Sequence, residues 1–170
     1  CDWSSDVCSS DLENDRRAGT VNVAFAVAAA EALRLAYAEW EQHVAHYTQL
    51  RDQLITGIMA AVPPELCRLT GHPEKRLAHH ASFAFRGING NDLLIQLDMA
   101  GIGGSSGSAC STGNPKPSAI LQALGLSVEW TMGGLRLTVG RHNTIEEIAY
   151  VVEKVPQAVE TLRSFTRHFA

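Results

Sequence analysis

The sequence predicts a small α/β domain with a mixed or antiparallel sheet and helices on one face, entered through one long helix. Three observations carry that prediction. A helical pattern runs from Val21 to about Ala61, a period-two strand covers Leu135 to Val139, and strands and helices interleave without a regular βαβ repeat. With 170 residues, 45% of them hydrophobic, the chain holds enough apolar side chains for one core.

The segment Cys1 to Leu12 reads CDWSSDVCSSDL, a Ser/Asp/Cys string without periodicity. Back-translated with suitable codons, it resembles a common sequencing-library adapter over its whole length. It is therefore set apart from the fold as one would set apart a tag, and the natural chain is expected to start upstream of it. In the long helix, Leu33, Tyr37, Trp40, Val44, Tyr47, Leu54 and Ile58 fall on one face, with one missed turn at Arg51. Pro63-Pro64 ends that helix, because proline cannot continue the hydrogen-bond ladder.

Short elements follow. Cys67 to Thr70 and Ala81 to Phe85 read as strands separated by the turn Gly71-His72-Pro73-Glu74. Asn91 to Ala100 reads as a helix carrying Leu93, Leu94 and Leu97, and Ile102 to Ala109 as a strand leading into a loop. Pro117 suits the first turn of a helix running to Leu124, with Gly125 as its stop. In Leu135 to Val139 the apolar set faces the core while Arg136 and Thr138 face the other way. Thr144 with Glu147 makes a capping box for the last helix. Its buried stripe is Ile148, Val152, Val155, Val159 and Leu162, with a kink expected at Pro156.

The formal net charge of −4 and the scattered Lys and Arg argue against a nucleic-acid surface. No apolar run approaches the roughly 20 residues that span a bilayer, so no membrane insertion is expected. The cysteines Cys1, Cys8, Cys67 and Cys110 match neither a disulfide framework nor a CxxC metal site. A reducing, cytoplasmic setting is expected. His43 and His46, and the adjacent His79 and His80, lack carboxylate or thiolate partners and read as solvated positions, so no metal site is predicted. Cys67, on a buried strand, reads as core.

The chemistry concentrates in Gly103 to Gly113, a stretch without bulky side chains that encloses the single thiol Cys110. A nucleophile that collects a group in one place and delivers it elsewhere benefits from such a tether, and sulfur can be held as a persulfide. The plainer reading is a free cysteine packed as a small hydrophobe, and composition alone leaves both standing. Phosphate-binding readings fail, since neither GxxxxGK[ST] nor GxGxxG occurs here.

SSGSACSTGNPKPSAILQALGL, Ser105 to Leu126, resembles the active-site loop and following helix of cysteine desulfurases of the NifS/IscS type. Arg17-Ala18-Gly19-Thr20-Val21-Asn22 resembles that family's R-x-G-T-x-N segment, and Leu135 to Arg141 its [IL]-R-x-S-x-G-R strand. The resemblance runs from Arg16 to Phe165, in the order of the family. It implies the C-terminal small domain (residues 63–170) of a fold-type I transferase of the class-V aminotransferase group. Residues 13–62 would then join it to a cofactor domain absent from this chain.

The resemblance also implies roles. Cys110 would attack the thiol sulfur of L-cysteine, leaving alanine and a persulfide for iron–sulfur cluster or thio-cofactor synthesis. Arg136 would grip the substrate carboxylate, a task that suits the planar guanidinium fork; without the motif it reads as a solvated strand residue. Thr20 would reach the phosphate of pyridoxal phosphate from the neighbouring subunit of a homodimer, or simply cap the long helix. Arg141 reads as a structural ion pair. Partners implied are a sulfur-acceptor or iron–sulfur scaffold protein.

The family holds its cofactor through a lysine in an S-x-H-K motif. Here only Lys75, Lys116 and Lys154 occur, none in such a motif, so this chain alone is expected neither to hold the cofactor properly nor to turn over. The competing readings are a selenocysteine lyase or related pyridoxal enzyme, and a non-catalytic module that docks sulfur-acceptor proteins.

Overall fold

The computed structural model describes residues 20–106 and 117–168, with side chains described as far as Phe165. Two compact units divide the chain, Cys1–Trp40 and Glu41–Ala170. The first contains helix α1 (Val23–Ala38), whose Asn22 cap accepts the Phe25 N–H at 3.0 Å. None of its residues is buried.

The single long helix expected from the sequence is interrupted. Glu39, at φ −105° and ψ 8°, separates α1 from α2 (Trp40–Ala61). Periodicity does not mark such a break, since one turn residue leaves the three–four spacing across it almost intact. The expected apolar face is likewise partial: Leu54 and Ile58 are buried with Leu50, whereas Leu33, Tyr37 and Trp40 are exposed. The missed turn at Arg51 has a physical role. Its buried guanidinium donates to the Leu77 carbonyl at 3.2 Å and to the Asp52 carboxylate at 2.8 Å.

The second unit is built on an antiparallel sheet of β1 (Cys67–Leu69), β2 (His80–Phe85) and β3 (Gly134–Thr138), in that order. Phe83 pairs with Leu69 on one side and Leu135 on the other, and Ser82 pairs with Arg136. Alternation then sorts the side chains. Cys67, Ala81, Phe83, Phe85, Leu135 and Leu137 enter one core with α2, α3 (Gly90–Met99) and α6 (Ile145–His168).

On the opposite face, Arg68, Ala84 and Gly134 form one row, and the short helices α4 (Ala119–Ala123) and α5 (Val128–Thr131) cover it through Leu121 and Trp130. The Arg68 guanidinium lies 4.3 Å from the Trp130 ring centroid. Gly133 permits this closure. A side chain there would place Cβ 1.9 Å from the Phe85 carbonyl oxygen, whose own N–H donates to Gly133 O at 2.8 Å.

Several local expectations are refined. Ile102–Ser106 forms no strand of its own, only a bridge between Ser105 and Arg136. Pro117 lies one residue before the cap Ser118, not within the first turn, while Gly125 at φ +80° follows the helix end as a left-handed stop. The predicted capping box is present: Thr144 N–H donates to Glu147 Oε2 at 3.1 Å, and Glu147 N–H to Thr144 Oγ1 at 3.3 Å. Helix α6 runs on past Pro156. No helix of the described residues is long and apolar enough to cross a membrane.

Candidate functional site

Beyond the row covered by Trp130 and Leu121, the same sheet face grades from buried Thr70 through half-buried Ser82 to exposed Arg136. There Thr70, Ser82 and Arg136 lie in a second row, with His80 and Thr138 beyond. A cavity of about 320 Å³ rests on this face, lined in part by Thr70, His80, Ser82, Ser106, Ser118 and Arg136. Its apolar wall includes Ile120, Leu121 and Leu124.

Backbone pairing fixes Arg136. Both its main-chain groups bond to Ser105, with N–H to Ser105 O at 2.6 Å and Ser105 N–H to Arg136 O at 3.0 Å. Arg136 and Ser82 therefore form the non-hydrogen-bonded kind of antiparallel pair, which brings side chains closer, at a Cα separation of about 4.5 Å. The Thr70 hydroxyl donates to Ser82 Oγ at 2.8 Å. The same bridge ties the start of the SSGSAC block to β3. Ser106 Oγ donates to Asn91 Oδ1 at 2.9 Å, which holds Ser106 against α3 as well.

Arg136 is exposed, as strand alternation predicts, and among the described residues no carboxylate forms an ion pair with it. A guanidinium lining this cavity, with the Ser82 hydroxyl on the neighbouring strand and Thr70 beyond it, can bind a carboxylate through paired N–H donors. A larger cavity of about 440 Å³, next to Thr138 and α6, carries Glu146 and Glu147 and so repels such a ligand.

Cys110 lies outside the described residues. Thr20 is exposed in the first unit, two positions before the Asn22 cap, so it does not itself cap α1. Arg141 donates to His142 Nε2 at 2.9 Å, in place of the carboxylate expected of an ion pair. Lys75 is exposed in a turn, and Lys154 bonds Glu153 and Gln157, so no described lysine lines the Arg136 cavity. Cys67 is core, as expected, and burial pushes its thiol up to about 12. His46 departs from the solvated reading: it is half-buried, with Nε2 3.1 Å from the Asn143 carbonyl.

His80 departs from it too. It is half-buried and lines the Arg136 cavity. Burial first, then the positive charge of Arg136, holds its imidazole below the usual histidine range. The sequence held a signal for it. Extending the period-two pattern of β2 back by one residue puts His80 on the face of Ser82.

Comparisons with known proteins agree with this architecture. The family described as Aminotransferase class-V matches residues 4–151. The chain belongs to the class-V aminotransferase family. Among curated members, the cysteine desulfurase IscS of Methanosarcina thermophila is 42% identical over 154 residues, which is 91% of this chain and 37% of that protein. The cysteine desulfurase NifS of Azotobacter vinelandii is 36% identical over 158 residues, covering 93% of this chain and 39% of its own length. A solved NifS-like protein superimposes with a TM-score of 0.74 at 27% identity, over 91% of this chain and 38% of that one. This class-V aminotransferase chain thus spans about two fifths of the length of the relatives it matches.

Proposed function

We propose that this chain is the small-domain portion of a cysteine desulfurase that converts L-cysteine to L-alanine and leaves a persulfide on Cys110. The names of relatives matching 91% of the chain support the reaction. The observation that carries the chain's own share is Arg136, an exposed guanidinium without a carboxylate partner among the described residues, lining a cavity on the sheet face beside the start of the SSGSAC block.

In this reading Arg136 holds the carboxylate of L-cysteine, with Ser82 beside it. The net transfer breaks the substrate C–S bond and forms an S–S bond to Cys110 Sγ. The electron pair of the broken bond stays on carbon, which takes a proton and becomes the methyl group of alanine. Pyridoxal phosphate, when bound, supplies an electron sink for such amino-acid chemistry. Its covalent lysine is not among the described residues lining the Arg136 cavity. Thr20 is assigned to its phosphate, in a cytoplasmic homodimer that hands sulfur to an acceptor or iron–sulfur scaffold protein.

The test uses the full gene product amplified from its natural source. Cys110→Ser should abolish persulfide formation. Arg136→Ala should raise KM for L-cysteine about 10- to 150-fold, the range for losing a charge-assisted hydrogen bond of about 1.5–3 kcal/mol. Persulfide that survives Cys110→Ser, or a KM unmoved by Arg136→Ala, sinks the corresponding assignment.

A further inference from the structure

Resting on the carboxylate reading of Arg136, we propose that His80 is a second, proton-linked contact of the same site, a positioning residue that takes up a proton as a carboxylate settles against Arg136.

Register is the first support. Ser82 pairs with Arg136 and His80 with Thr138, so His80 and Arg136 are diagonal neighbours on one face. Such neighbours stand about 7–8 Å apart, within reach of long side chains, and both line the same cavity. A carboxylate held at Arg136 therefore comes to lie beside the His80 ring.

Charge is the second. From β3, His80 faces Arg136. From the connection between β1 and β2 it meets Arg76, whose Nη1 donates to the His80 carbonyl at 3.5 Å, and its chain neighbour is His79. A second cavity on its other side is shared with His72, Glu74, Lys75 and Arg76. Glu74 is the one acid of that set and is exposed in the turn. Protonating His80 in the free protein thus adds a charge to a cluster of cations, and burial and Arg136 oppose it. A bound carboxylate replaces that repulsion with attraction. Linkage requires the converse, that a protonated His80 tightens the carboxylate by the same factor.

The test uses the 170-residue chain, with propionate as the probe, propionamide as its uncharged control and ionic strength held constant by chloride. The His80 ring is followed by NMR, assigned through His80→Gln. Propionate, unlike propionamide, should raise the His80 titration midpoint by about one pH unit, and bind several-fold tighter at about pH 5.5 than at about pH 8, about tenfold being the limit for such a shift. His80→Gln should remove that pH dependence while keeping the weaker binding, and His79→Gln should keep it. Arg136→Gln should abolish binding, with Arg136→Lys retaining part of it as a check that the face is intact. Propionate that binds through Arg136 with the same affinity at both pH values, leaving His80 unmoved, overturns this inference and spares the carboxylate reading. Propionate that does not bind, or binds equally well to Arg136→Gln, overturns both.

Discussion

Cys67 shows what a thiol becomes when the fold gives it only packing. It is 1% exposed on β1, with Sγ 3.7 Å from Met59 Sδ, and burial pushes its titration up to about 12 from an ordinary value near 9. A raised value means that the folded state holds the proton more tightly than the unfolded chain. The stabilisation from this group is therefore complete below about pH 9 and is lost as pH rises toward about 12. Because the thiolate is the nucleophile, Cys67 should resist iodoacetamide in the native chain at mildly alkaline pH and react once denatured. Peptide mapping by mass spectrometry reads this directly. Alkylation of native Cys67 at the rate of the denatured chain would show that the site is not closed.

Helix α6 offers the clearest case of an element set by local chemistry. Hydrogen bonds from the Asn143 side chain and the Thr144 backbone hold the Glu147 carboxyl below the usual carboxylate range. The stabilisation from that carboxylate is thus present above its ordinary value and lost as pH falls through the lowered one. Thr144→Ala removes the other half of the box and should cost about 1 kcal/mol in urea unfolding, with Thr144→Ser near neutral. An unchanged midpoint in Thr144→Ala would mean that the box does not anchor the helix.

The box and β3 are legible in the sequence because Thr–Glu spacing and apolar alternation are properties of a few adjacent residues. Helix α5 is not, since VEWT is too short to display a period. The break at Glu39 is not, because the spacing continues across it. Arg136 is readable as facing away from the core. His80 becomes a site residue only when β2 pairs with β3, and that pairing joins residues fifty or more positions apart.

At the scale of the whole molecule, the two units differ in what they bury. Every side chain of the main core, including the partly buried ones packed against it, lies between Tyr47 and Leu162. Each fully buried Leu, Val or Phe there contributes about 1.5–3 kcal/mol relative to exposure. Within Val23–Ala38, by contrast, nothing is buried, and Phe25 and Leu33 are 73% and 70% exposed. A chain lacking residues 1–40 should therefore keep the urea midpoint and slope of the complete chain, since the slope follows the surface exposed on unfolding. A clear fall in either would mean that the removed residues contribute to the core. The same truncation removes Thr20, the proposed phosphate contact, and leaves the cavity of Arg136, His80 and Ser82 untouched. Propionate binding and its pH dependence should accordingly survive in the shortened chain. That outcome would separate the carboxylate site, a property of the second unit, from the cofactor contacts that depend on the rest of the enzyme.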